Sequence, residues 1–143
     1  MKALTFAQEF ALIALNAQDS LHMTTVKKIA VRCMAAAAIL EWAMEEDGLQ
    51  SEFSTVSKQD VENAAAFPHR QEVFRALLKK KGAVQMPLPE LLARVTHFSR
   101  RTLKKIEHAF SDPLKGMDAL EEIPNLLGCD MDYDSASVTM REY

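Results

Sequence analysis

"IAVRCMAAAAILEWAM", Ile29 to Met44, is apolar nearly all the way round a helix, with Arg32 and Glu41 as its only charges. A helix of that pattern belongs in the middle of a fold, and its alanines let neighbouring backbones approach closely. It is expected from about Thr24 or Thr25 to Glu46. Asp47-Gly48 supplies the stop, because Gly accepts the left-handed conformation after a helix end. Only four Gly and five Pro occur in 143 residues, which also favours helix. The fold class expected is mainly α: a helical bundle around this buried Ala-rich helix, with one or two small β-hairpins. Residues 1–143 read as a single helical domain, or as the N-terminal part of a longer one.

Outward from this helix, Thr5-Phe6-Ala7-Gln8 fits a capping box and opens a helix ending near Asn16, with Phe6, Phe10 and Ile13 on one face. "LQSEFSTVS" (49–57) reads as a short strand, and "SKQDVENAAAFPHR" (57–70) as a loop with a helical turn. A third helix is expected over about His69 to Lys81, with Val73, Phe74, Leu77 and Leu78 inward and Gly82 as its stop. "AVQMPLP" (83–89) reads as a linker or small hairpin. A long fourth helix follows from about Pro89 to Phe110, ended by Ser111-Asp112-Pro113. "PLKGMDALEEIPNLLG" (113–128) is irregular or partly helical. "CDMDYDSASVTMREY" (129–143) suggests a hairpin turning at Asp134 to Ser137.

Charge is distributed unevenly. Residues 1–69 hold 5 Lys/Arg against 9 Asp/Glu, residues 70–105 hold 10 against 2, and residues 106–143 hold 2 against 9. The net charge of −3 conceals this basic middle. At 100° per residue the fourth helix puts Arg94, His97, Arg100, Arg101, Lys104, Lys105 and His108 on one face, with Glu90 the only acid among them. A merely solvated face interleaves signs, since like charges at i,i+4 repel by a few tenths of a kcal/mol. Arg100–Lys104 and Arg101–Lys105 forgo that support, which points to an anionic partner. Phosphate suits it, through charge-assisted hydrogen bonds. Two phosphate-rich surfaces qualify: an anionic membrane, or nucleic acid bound by a winged-helix-like domain. The basic face carries no Asn or Gln to read base edges, so the membrane leads. A third reading is a protein-interaction or oligomerisation module whose basic face docks on an acidic partner or a second copy.

Several segments also resemble the Golgi phosphoprotein 3 family. "LTFAQEFALIAL" (Leu4 to Leu15) is similar to the family's opening, and "LEWAMEEDGL" (Leu40 to Leu49) to the end of its buried helix. "VFRALLKKKG" (Val73 to Gly82) resembles its helix ending in Lys-Gly, and "RRTLKKIEHAFSDP" its later basic helix. The resemblance covers residues 4–113. It implies a mainly α bundle with a protruding hairpin, binding phosphatidylinositol 4-phosphate on the cytosolic face of a membrane and recruiting protein tails. By register, Arg70 is the nearest match to the family's lipid-contacting arginines. The membrane hairpin falls on Val84, Met86 and Leu88. The family's pocket Trp and pocket Arg fall near Val26 and Ala35, so the function implied is binding of anionic, phosphoinositide-like phospholipid headgroups rather than one defined headgroup. The chain also stops at "MREY", where family members continue into further helices.

Other chemistry has no visible carrier. Cys33 and Cys129 lack metal spacing and are expected to be reduced core residues. The four His include no i,i+4 pair. No Gly-rich phosphate loop or nucleophile elbow appears, so no catalytic residue, cofactor or metal is expected. The Glu41, Glu45, Glu46 and Asp47 cluster is expected to meet basic neighbours. With no membrane-length apolar run and no signal-peptide pattern, the expected location is cytoplasmic, free or peripheral on a membrane.

Overall fold

A computed structural model describes residues 3–19, 21–46, 52–124 and 136–140. These residues are mainly helical, with two small antiparallel ribbons among them. Helix α1 spans Phe6–Leu15. Its capping box forms as expected: the Thr5 hydroxyl accepts from the Gln8 N–H at 3.2 Å, and the Gln8 side chain accepts from the Thr5 N–H at 3.1 Å. Ala7, Ala11, Leu12 and Leu15 face the core. Of the expected Phe6, Phe10 and Ile13 face, Phe10 packs partly buried against the core, whereas Phe6 and Ile13 turn outward, Ile13 72% exposed.

Helix α2 spans Thr25–Glu45 and is N-capped by Thr24, whose hydroxyl accepts from the Lys27 N–H at 3.1 Å. It packs on α1 and on two later helices, α4 (Pro68–Leu78) and α6 (Arg100–Gly116). Val31, Met34, Ala35, Ala38, Ile39 and Trp42 supply its buried face, whereas Cys33, expected in the core, falls on the outward side and is exposed. Trp42 meets the Phe74 ring edge-on at 5.2 Å, a core role rather than a pocket role.

The short helix α3, Lys58–Asn63, is the helical turn expected before α4. Pro68 suits the first turn of α4, where its missing N–H costs nothing. Val73, Phe74, Leu77 and Leu78 point inward as expected. The helix stops earlier than Gly82: Lys79 takes a left-handed φ of 54° and its N–H donates to Arg75 O at 2.9 Å. Ending there frees residues 83–86 to form strand β2 (Ala83–Met86), which pairs antiparallel with β1 (Ser54–Ser57), Val56 opposite Val84. The segment read as a linker or small hairpin thus supplies one strand of a ribbon whose other strand is β1. Val84 is buried, and Met86 and Leu88 pack against the core, so none of the three projects as a membrane-inserting tip.

The expected helix over 89–110 is broken. Helix α5 (Leu88–Ala93) passes into a 3₁₀ turn, Arg94–His97, and Phe98 and Ser99 are extended before α6 begins. The break has two causes. Ser99 caps α6, its hydroxyl accepting from the Thr102 N–H at 3.2 Å, and Phe98 turns inward to be buried. Arg32 holds the corner by donating to Phe98 O at 3.3 Å. Helix α6 then runs past Pro113 to Gly116, because its last turn buries Leu114 fully. Strand β3, Leu120–Pro124, pairs antiparallel with β4, Ala136–Met140. The strand at 136–140 therefore finds its partner in 120–124, and Ser137 sits in the ladder opposite Ile123 rather than in a turn. Asp134 lies outside the described residues.

A buried charge pair joins α2 to α6 across this core. Lys27 on α2 is 1% exposed, ion-pairs with buried Glu107 on α6, and donates to Asp19 O. A buried ammonium persists only when paired. Removing one partner strands a charge at about 3–5 kcal/mol. Lys27→Ala is expected to lower the unfolding free energy by about that amount, and Lys27→Met with Glu107→Leu to recover most of it, as read by urea denaturation.

Candidate functional site

The basic surface is built from the second half of α4 and the first turns of α6, which pack side by side. The inward face of α6 is Leu103, Ile106, Phe110 and Leu114, each at most 1% exposed. That fixes the opposite arc, so Arg100, Arg101, Lys104, Lys105 and His108 are all exposed. His108 approaches Asp112 at 3.9 Å. Neither Arg100, Arg101, Lys104 nor Lys105 has an ion-pair partner among the described residues. No acidic residue stands in the first turn of α6, so Arg100 and Arg101 sit where the helix macrodipole is already positive.

Between α4 and the corner before α6 lies a cleft of about 440 Å³. Arg75, Lys79, His97 and Lys105 line it over Ala76 and Phe98. A shallower groove of about 690 Å³ continues along α4 and α6, sharing Arg75 and Lys105 and reaching His108 and Asp112. Glu72 belongs to both and bonds Arg75 at 3.2 Å. This arrangement can hold an anion by several converging cationic donors. Arg75 and Lys79 are not singled out by the sequence, because the apolar face of α4 dominates its pattern. No spacing in the sequence marks them, since Lys79 already lies past the end of α4 and the pair gains its meaning from the packing of α4 on α6.

The expected site residues divide accordingly. Arg100, Arg101, Lys104 and Lys105 share one face, and His97 joins Lys105 at the cleft. Arg94 is half-buried in the 3₁₀ turn, on a different element from the α6 residues. Val84, Met86 and Leu88 are on the β1–β2 side of the fold, packed inward.

Arg70 is not part of this surface. It is 6% exposed. Its guanidinium forks onto Glu45 at 2.8 and 2.9 Å, donates to Glu41 at 2.7 Å, and lies 4.9 Å over the Phe67 ring. With those acids bound, the group has little capacity for a phosphate. The acidic end of α2 thus meets basic neighbours, as its sequence predicts. Glu41 also accepts from the Ala7 N–H at 2.8 Å and contacts His69 Nε2 at 3.3 Å. His69 stacks on Phe110 at 4.7 Å. Burial alone raises the Glu41 pKa, but the hydrogen bonds from His69, Ala7, Arg70 and Thr5 outweigh it and hold the group down at about 2. Burial likewise lowers the Arg70 pKa, and Glu45 and Glu41 more than reverse that.

Among the described residues no group of three His, Cys, Asp or Glu is placed to hold a metal ion, and no helix is long and apolar enough to cross a membrane. No family model, curated protein or solved structure matches this chain.

Glu41 is ionised in the fold down to about pH 2, whereas the unfolded chain takes its proton near 4.5. Its contribution to stability is therefore complete above that unfolded value and lost as pH falls toward 2. Acid titration of the unfolding free energy is expected to show that loss, and Glu41→Gln to flatten the same limb.

Proposed function

We propose that this chain is a non-catalytic peripheral adaptor that docks on anionic, phosphoinositide-like phospholipid at the cytosolic face of a membrane. Arg100, Arg101, Lys104 and Lys105 meet the charged surface, and Arg75, Lys79, His97 and Lys105 receive a headgroup phosphate in the cleft. The observation that carries the reading is the placing of Arg100 and Arg101 at the positive end of α6, with Lys104 and Lys105 one turn on and, among the described residues, no acid paired to any of them. Such a concentration opposes helix stability by the macrodipole and by like-charge repulsion, and phosphate relieves both. The cleft's concave, cationic walls suit a compact headgroup. The resemblance to the Golgi phosphoprotein 3 family points the same way, although the headgroup site here is assembled from α4 and α6 rather than from Arg70.

A second reading has one observation in its favour. Helix α5 with its 3₁₀ turn, the extended pair Phe98-Ser99, basic α6 and the following β3–β4 ribbon run in the order of a helix-turn-helix with a wing. That order makes a nucleic-acid duplex the alternative phosphate partner.

Basic residues near an anionic surface contribute about 1 kcal/mol each, so four amount to about 4 kcal/mol, roughly a thousandfold in partitioning. Flotation is expected to find the protein on phosphatidylserine and phosphatidylinositol 4-phosphate vesicles and not on neutral ones. The Arg100→Glu, Arg101→Glu, Lys104→Glu, Lys105→Glu variant is expected to remain in the soluble fraction. Binding to a DNA duplex with no flotation would transfer the surface to the second reading.

A further inference from the structure

The turn that ends α4 holds a lysine where turn geometry calls for glycine. Lys81 N–H donates to Leu78 O at 2.9 Å, closing a tight turn, and Lys79 at its first central position has φ 54° and ψ −114°. Those angles are the ones a type II′ turn requires there, and glycine dominates the position because a Cβ is strained in it. Cations do suit the end of a helix, where the last carbonyls carry partial negative charge. Lys80 and Lys81 supply that charge in any case, so the preference does not explain a strained lysine. A residue kept in a costly conformation points to a use for its side chain. Lys79 lines two cavities at once, and Arg75 is the other residue common to both. One is the cleft with His97 and Lys105; the other is a neighbouring cavity of about 280 Å³.

Lys58 and Lys81 complete the cationic wall of this second cavity, and Glu62 is the one carboxylate on it. The β1–β2 ribbon brings Lys58 there: its N–H donates to Gly82 O at 3.2 Å, which sets the start of α3 beside the end of α4. Lys58, Lys79 and Lys81 are exposed, and none of them makes an ion pair among the described residues. Unpaired ammonium groups around one concavity suit a phosphate, which accepts charge-assisted hydrogen bonds from several sides. The geometry points to a second phosphate seat at Lys58 and Lys81, so that Arg75 and Lys79 stand between two phosphate groups of one ligand. A single phosphate cannot occupy both cavities, whereas a ligand with two can, and the shared pair then neutralises charge on each. The ligand class is a compact molecule carrying two or more phosphates, from a lipid headgroup or a soluble polyphosphate. This second seat rests on the reading of the α4–α6 cleft as a phosphate site, but not on the membrane as the source of the phosphate.

The test is isothermal titration calorimetry of the full chain with inorganic phosphate and with tripolyphosphate, at one ionic strength. Tripolyphosphate is expected to bind at least about tenfold tighter, the gain of a tethered second contact. Lys58→Gln with Lys81→Gln is expected to abolish that gain from one side, and His97→Gln with Lys105→Gln from the other. Lys79→Gly is expected to lose it too, while its urea midpoint stays at or above that of the wild type because the turn is relieved. Equal affinity of the wild type for both probes overturns the second seat and leaves the cleft reading standing; binding of neither probe overturns both. A Lys58, Lys81 variant that weakens the two probes by the same factor, as diffuse charge would, also overturns the seat, and so does Lys79→Gly binding like the wild type. Flotation on vesicles of phosphatidylinositol 4,5-bisphosphate against phosphatidylinositol 4-phosphate reads the source. A preference for the bisphosphate that Lys58→Gln with Lys81→Gln removes supports the seat with a lipid ligand. Tight tripolyphosphate binding with no flotation on either lipid supports it with a soluble ligand and overturns the membrane reading alone.

Discussion

Two buried charge clusters on α2 hold in place the two helices that carry the basic surface. Near its N-terminus Lys27 ties α2 to Glu107 of α6, and near its C-terminus Glu41 and Glu45 tie it to Arg70 of α4. Neither cluster is an efficient source of stability, since desolvating the charges offsets most of the attraction. What such pairs supply is position. An apolar helix lined with alanine can slide or rotate against its neighbours at small cost, whereas a buried ammonium facing one carboxylate cannot. With both ends fixed, α4 and α6 lie side by side, and the cleft between Arg75, Lys79, His97 and Lys105 follows from that placement.

The stability of α6 is then a contest that its apolar face wins. Leu103, Ile106, Phe110 and Leu114 are all buried, each contributing about 1.5–3 kcal/mol. Cations at the helix N-terminus oppose this by about 0.3–1 kcal/mol each, and the two like-charge pairs add a few tenths. The helix therefore tolerates a charge arrangement that nothing in its own folding calls for. The Ser99 cap, worth about 1 kcal/mol, keeps the start of α6 fixed in spite of it.

Much of this architecture is legible in the sequence where local chemistry and periodicity agree. The Thr5 capping box, the apolar face of α4 and the central place of α2 all follow from side chains a few residues apart. Boundaries set by tertiary contacts do not. Ser99 reads as one more polar residue inside a periodic helix until Phe98 is seen to turn into the core, and Pro113 reads as a stop until Leu114 is seen to need the extra turn. The strand at 136–140 is visible as a strand, but its partner at 120–124 lies in a stretch that reads as irregular or partly helical. Of the candidate site, the α6 cations are legible from helical spacing. Arg70 is misplaced by sequence register because only the fold reveals Glu41 and Glu45 around it, and Arg75 and Lys79 acquire significance only once α4 lies against α6.

If phosphate is received by α4 and α6 together, the two helices should respond together. The most direct measurement is a map of backbone amide shifts on titration with nanodiscs containing phosphatidylinositol 4-phosphate, against neutral nanodiscs. Changes are expected to concentrate at residues 75–79 and 97–105. Changes confined to α1 and α2, or to the surroundings of Arg70, would contradict a phosphate site between α4 and α6.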